Sequence, residues 1–255
     1  MNKGFFKLME YEFKLFLREP IAAFFTFVFP VFFLFLTMEV FIGRPVVEVA
    51  TATGIMEIRV INYVLPNFML MIIATIAFMS LPIITVEYRQ TRFFKRLRAN
   101  PVSSSTILAA LGIVYFIITF CGILLLTLLA LTVYEASFEG NMLLFILSFA
   151  YSYSAMAAIG FGLLGSLIRS SRSAVAIGEI IFFPAMFFSG LFVPIDQLPE
   201  WLRPISEFIP ITHAARLMQG MWLGEPIGDF LREIIILAGV ILLCVFVAVK
   251  KFRWE

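Results

Sequence analysis

The chain has 255 residues, of which 62% are hydrophobic and only 14% charged, with a mean hydropathy of +1.01, whereas soluble domains carry about a quarter charged residues. A formal net charge of +2 is too small to point to a nucleic-acid partner. Thirty-one Phe and twelve Met suffice for one large soluble core, but several apolar runs pass about 20 residues, enough to cross a hydrocarbon layer about 30 Å thick.

The N-terminal stretch projects as an amphipathic interfacial helix. Lys7, Glu10, Lys14 and Arg18 share one face and Phe5, Phe6, Met9, Phe13 and Phe16 lie opposite. Glu10 and Lys14 form a supportive i, i+4 pair, while Glu12 falls on the apolar side. Pro20 ends this helix and turns the chain into the membrane. No small-residue cleavage site follows, so the start does not have the pattern of a signal peptide.

Six runs follow, at Ile21–Ile42, Tyr63–Val86, Ile107–Tyr134, Met142–Ile168, Ser173–Val193 and Leu231–Val249. Their length without alternation predicts an all-α membrane protein rather than a barrel. Fourteen Lys and Arg lie in the N-terminal stretch, the second and fourth connections and the tail, against five in the remaining connections. That asymmetry predicts that both termini face the cytoplasm. Cys121 and Cys244 both fall inside runs and read as packed thiols. In the fourth run Ser154, Ala158, Gly162 and Ser166 recur every fourth residue, with Gly160 and Gly165 nearby, a stripe suited to close packing inside the subunit rather than at a dimer seam.

Two connections stand out. The inner one, following the second run, predicts a short helix over 87–98 with Arg89, Arg92 and Arg96 on one face and Phe93 and Leu97 on another, stopped at Asn100-Pro101. Such a helix suits docking into a groove on a partner; its spacing fits a solvated basic loop equally well. The outer one, 194–230, is rich in Pro yet apolar, with Thr212 placed to cap a short helix that Gly224 ends. Its pieces read as re-entrant or interfacial segments, either a lid over the outer mouth or a Trp-anchored loop. Two carboxylates lie in or near runs, Glu39 and, deeper, Glu179. A charge at depth costs about 2.5–3.5 kcal/mol on insertion scales. Glu179 therefore marks either a cavity or an ion pair with Arg169 or Arg172.

The segments KRLRANPVSSSTIL and FFSGLFVPIDQLPEWLRPISEFIPITHAARLMQG resemble the ABC-2 family of exporter permeases. The first is similar to that family's basic helix followed by a Pro-Val-Ser turn, although Arg92-Phe93 stands where members often have Gly-Thr. The second, Phe187–Gly220, matches in order the Ser-Gly, Leu-Pro-Trp and Pro-hydroxyl steps of the family signature. The resemblance implies one transmembrane domain over 1–255 and a coupling helix, Glu87, Arg89, Arg92, Phe93, Phe94, Arg96 and Leu97, against two copies of an ATPase subunit that bind ATP and Mg. It also implies a second permease copy, identical or similar, and a substrate path between the two. Carried over, the path residues are Asn67, Phe68, Met71, Thr75 and Phe78 in the second run, and Phe182, Phe183, Met186 and Phe187 in the fifth.

An ATP-binding loop ends in Gly-Lys followed by a hydroxyl residue, and these 255 residues contain no Gly-Lys pair. The expectation is a non-enzymatic transport subunit without its own cofactor, in the cell (inner) membrane, exporting a lipophilic or amphiphilic drug-like compound with a separate ATPase. An ion-coupled carrier or channel centred on Glu179 is the alternative. A six-span serine protease using Ser189 and His213 is the weaker rival, because its dyad must meet inside the bilayer.

Overall fold

The computed structural model describes residues 3–40, 46–51, 54–91, 104–191, 195 and 198–251. A helix at Lys3–Leu17 precedes six helices long and apolar enough to span: Pro20–Val40, Val60–Gln90, Ile107–Val133, Met142–Leu167, Ser171–Phe188 and Ile227–Lys251. All six runs are therefore found, with shifted ends. The second span is four residues longer at its basic end, and the fifth stops at Phe188, where Gly190 takes a left-handed conformation at φ +85°.

The second span is the axis of the bundle. Its apolar stretch is 83% buried, against 17% for the first span and 22% for the sixth. Lipid is as apolar as Leu, so close packing rather than water exclusion holds the neighbours against it. Contact is closest where side chains vanish. A Cβ on Gly160 of the fourth span would come 2.3 Å from the Ala77 carbonyl oxygen, and one on Gly178 of the fifth would come 2.4 Å from that of Phe78. Of the small-residue stripe of the fourth span, Gly162 and Ser166 are buried inside the subunit, as are the neighbouring Gly160 and Gly165, while Ala158 is half-buried and Ser154 is exposed and bonds back to Ala150.

Three spans contain π-helical turns, at Phe24–Val28, Ile76–Ser80 and Ala158–Leu164. The first two lie immediately before the turns that carry Pro30 and Pro82. A proline removes the N–H that would bond four residues back, and the wider turn absorbs the carbonyl left over.

At the end that carries the N-terminal helix, Gln90, Arg169 and Ser171 link the second, fourth and fifth spans. Ser171 Oγ donates to Gln90 Oε1 at 2.7 Å, and Gln90 Nε2 donates to the Arg169 carbonyl at 3.4 Å. At the opposite end an antiparallel hairpin, Val46–Thr51 with Gly54–Arg59, joins the first two spans. It is an addition to the predicted all-helical picture. The helix Pro210–Leu223 lies there too, with most of its residues buried among the second, fourth and sixth spans. Gln219 Nε2 donates to the Tyr63 carbonyl at 3.0 Å, and Trp222 stacks edgewise on Phe138 and Phe145. Gly224 ends this helix in a left-handed conformation, as predicted. Thr212 does not start it: Pro210 occupies the first turn, Ile209 is the cap, and the Thr212 hydroxyl is buried inside the helix without a hydrogen bond among the described residues.

Candidate functional site, a cleft at the elbow of the N-terminal helix

The N-terminal helix ends at Leu17 and the first span starts at Pro20. The two residues between them, Arg18 and Glu19, form an elbow, because proline at the first helical position can follow a break but cannot continue the preceding helix. Below this elbow a cleft of about 530 Å³ opens between the first, second, third and fifth spans. Arg18, Glu19, Glu87, Glu179, Thr75, Ser80 and Tyr115 are its polar lining residues, and Phe25, Met79, Ile83 and Phe183 belong to its apolar wall. Gly178 lets the fifth span lie close against the wide turn Ile76–Ser80, and this crossing places Glu179 in the cleft.

Three carboxylates thus share one cleft with one guanidinium. Burial raises the Glu19 pKa above the usual carboxylate range, and the neighbouring Glu87 charge raises it further. Of the two alternatives for Glu179, the geometry gives the cavity: no ion pair to Arg169 or Arg172 forms among the described residues. Tyr115 is only 7% exposed, lines the cleft, and its hydroxyl makes no hydrogen bond among the described residues.

The residues expected on a substrate path divide. Thr75 and Phe183 line the cleft together with Glu179 and Glu87. Phe68, Met71, Phe78, Phe182 and Met186 are buried inside this chain, and Phe187 is exposed. Asn67 lies near the other end, where its Nδ2 donates to the Gly190 carbonyl at 3.4 Å.

The helix expected over 87–98 is corrected at its start. Nothing between Val86 and Gln90 interrupts the second span, so Glu87 and Arg89 are its last turn, and Thr91 closes it by donating its N–H to the Glu87 carbonyl at 2.8 Å. Arg89 caps the fourth span, donating to the carbonyls of Gly165 (3.2 Å) and Ile168. Arg92, Phe93, Phe94, Arg96 and Leu97 lie outside the described residues.

The protease pair does not assemble. Ser189 Oγ donates to the Met186 carbonyl at 3.3 Å, and His213 Nε2 lies 3.0 Å from the Glu207 carbonyl. His213 belongs instead to a charged cluster at the opposite end, where Glu207 accepts from Arg216 (2.6 Å) and Arg232 (2.7 Å) and Glu233 lies 3.8 Å from both His213 and Arg216.

Sequence reasoning missed Arg18 and Glu19 as cleft residues, and Tyr115 altogether. A carboxylate immediately before a helix-breaking proline and a phenol in the middle of an apolar run were the available signals. The charged cluster at the opposite end left none, since Arg216 and Arg232 stand 9 and 25 residues from Glu207.

The model of the ABC-2 type transporter family matches residues 3–223. The "Probable multidrug ABC transporter permease YbhR" of Escherichia coli K12 is 25% identical over 165 residues, covering 64% of this chain and 44% of that protein. "Nodulation protein J" of Rhizobium leguminosarum bv. viciae is 28% identical over 107 residues, 40% of this chain and 39% of that protein. "ABC transporter G family member 20" of Dictyostelium discoideum is 24% identical over 206 residues, 78% of this chain and 28% of that protein. The chain spans less than half the length of each.

Proposed function

Because this chain belongs to the ABC-2 type transporter family, we propose that it is the permease subunit of an ATP-driven exporter whose ATP-hydrolysing subunit is a separate polypeptide. The family match, which takes in five of the six spans, carries the reading. The absence of a Gly-Lys pair from these residues supports it, because no phosphate-cradling loop is available here. The functional unit is two permease copies, identical or similar, with two ATPases that bind ATP and Mg. Both termini face the cytoplasm of the cell (inner) membrane, since the basic residues gather at that end. The cargo is lipophilic or amphiphilic, in keeping with a cleft walled by Phe and Met. ATPase closure pushes on the segment after Thr91, and the second span, buried along its length, carries that movement to the opposite end.

Purified permease is expected to show no ATP hydrolysis, and a complex with its ATPase should export a lipophilic dye from inverted vesicles only when ATP is present. Phe93→Glu should abolish coupling while leaving the permease in the membrane. Undiminished ATP-driven export by that variant would remove the docking assignment. Export that persists without an ATPase would instead favour an ion-coupled carrier, a reading that the carboxylates of the cleft keep open.

A further inference from the structure

We infer that the cleft at the elbow binds a bulky organic cation, its charge held among Glu19, Glu87 and Glu179 and its apolar body against Phe25 and Phe183. The inference gives the substrate class and rests on the exporter reading above. A space of about 530 Å³ matches the pockets that hold drug-sized molecules. Three carboxylates against the one Arg18 make the lining acidic. In a site partly removed from water, such a lining favours a cation and disfavours an anion of the same shape.

The spread of the carboxylates sets the kind of cation. Among the described residues no group of three His, Cys, Asp or Glu side chains is placed to hold a metal ion. Acids spaced around an apolar cleft suit a charge carried on a large body, whose solvation by water is weak from the start. Tyr115 independently points to a ligand. Its hydroxyl, carried by a 93% buried residue (7% exposed), lines the cleft without a hydrogen bond among the described residues. Its oxygen is available to a polarised C–H or N–H beside a cationic centre, and Phe25 and Phe183 offer ring faces to the same charge.

The test is equilibrium dialysis of the full-length permease in dodecyl maltoside with radiolabelled tetraphenylphosphonium, and with tetraphenylborate as the anion of equal shape. The phosphonium should bind at least about tenfold more tightly than the borate, and Glu87→Gln and Glu179→Gln should each weaken it by about tenfold, the loss of one charge contact of ordinary strength. Arg18→Gln should tighten it, a change of sign that general loss of packing does not produce. Tyr115→Phe should weaken it severalfold. Added phosphatidylethanolamine identifies the natural occupant: competition assigns a lipid ammonium, and unchanged binding assigns a dissolved amphiphile.

Equal affinity for the two ions, or a Glu87→Gln/Glu179→Gln double variant that binds the phosphonium like the parent, overturns the inference. ATP-driven export of a neutral lipophile by that double variant would then leave the exporter reading intact. Charge-selective binding without any ATP-driven export would remove the exporter reading and keep the site.

Discussion

Glu12 of the N-terminal helix accepts a hydrogen bond from the Tyr88 hydroxyl, in the last turn of the second span. This contact explains the one carboxylate on the apolar face of that helix: Glu12 is 3% exposed, beside the buried Phe16 that packs edgewise on Tyr115. The N-terminal helix is thereby fastened to the axis of the bundle.

Burial raises the Glu12 pKa, the Tyr88 bond opposes that rise, and the Glu19 charge adds to it. Between the usual glutamate value and the raised one, the folded chain holds more protons than the unfolded chain, so stability falls as pH rises through that window. Tyr88→Phe removes the opposing bond. It should lower stability by about 1–3 kcal/mol at pH 8 and by less at pH 5, where Glu12 is closer to neutral. Thermal unfolding in detergent at the two pH values checks this. An equal loss at both would show that the Tyr88 hydroxyl, and not the Glu12 charge, sets the effect.

The crossing of the second and fifth spans depends on Gly178. A Cβ there would meet the Phe78 carbonyl oxygen at 2.4 Å, a backbone contact that no rotamer change relieves. Gly178→Ala should cost about 1–3 kcal/mol and move Glu179 within the cleft. Gly239→Ala, at a position with nothing within 4 Å, should be neutral or stabilising through helix propensity. Melting temperatures of the pair separate close approach from a general intolerance of substitution.

Arg89 holds the end of the fourth span by donating to the Gly165 and Ile168 carbonyls. Arg89→Ala leaves those half-buried carbonyls with fewer donors and should lower stability by about 1–3 kcal/mol, with no ATPase present. A melting temperature unchanged in the isolated permease would return Arg89 to the docking role that its sequence position suggested.

The spans were legible because a stretch of about 20 apolar residues has few structural options in lipid. The partners of polar residues were less so. Glu12 looked misplaced on a helical projection, since its partner Tyr88 is 76 residues away. Glu179 is legible in the sequence as a costly charge at depth, but its cleft is assembled from four spans and the elbow, and no local spacing records that meeting. The hairpin Val46–Thr51 with Gly54–Arg59 left little trace, because two six-residue strands between long apolar runs carry too short an alternation to stand out.

Glu207 ties three segments of the opposite end together. Its carboxylate oxygens receive Arg216, from the helix Pro210–Leu223, and Arg232, from the start of the sixth span, at 2.6 and 2.7 Å. The Arg216 hydrogen bond, more than burial can offset, holds the Glu207 pKa below the usual carboxylate value, and the Arg216, Arg232 and His213 charges add to this. A depressed carboxylate contributes stability that is present above its unfolded pKa and is lost as pH falls through its folded value. Glu207→Gln should therefore cost about 1 kcal/mol near neutrality, a modest figure because Arg232 is 62% exposed and its share is screened by solvent. The difference from the parent should hold steady as pH falls toward the glutamate range and close below it, because the parent then protonates Glu207 as well. Melting curves of both proteins across that range decide the point: a difference that does not shrink in acid would mean that shape, rather than charge, joins these segments.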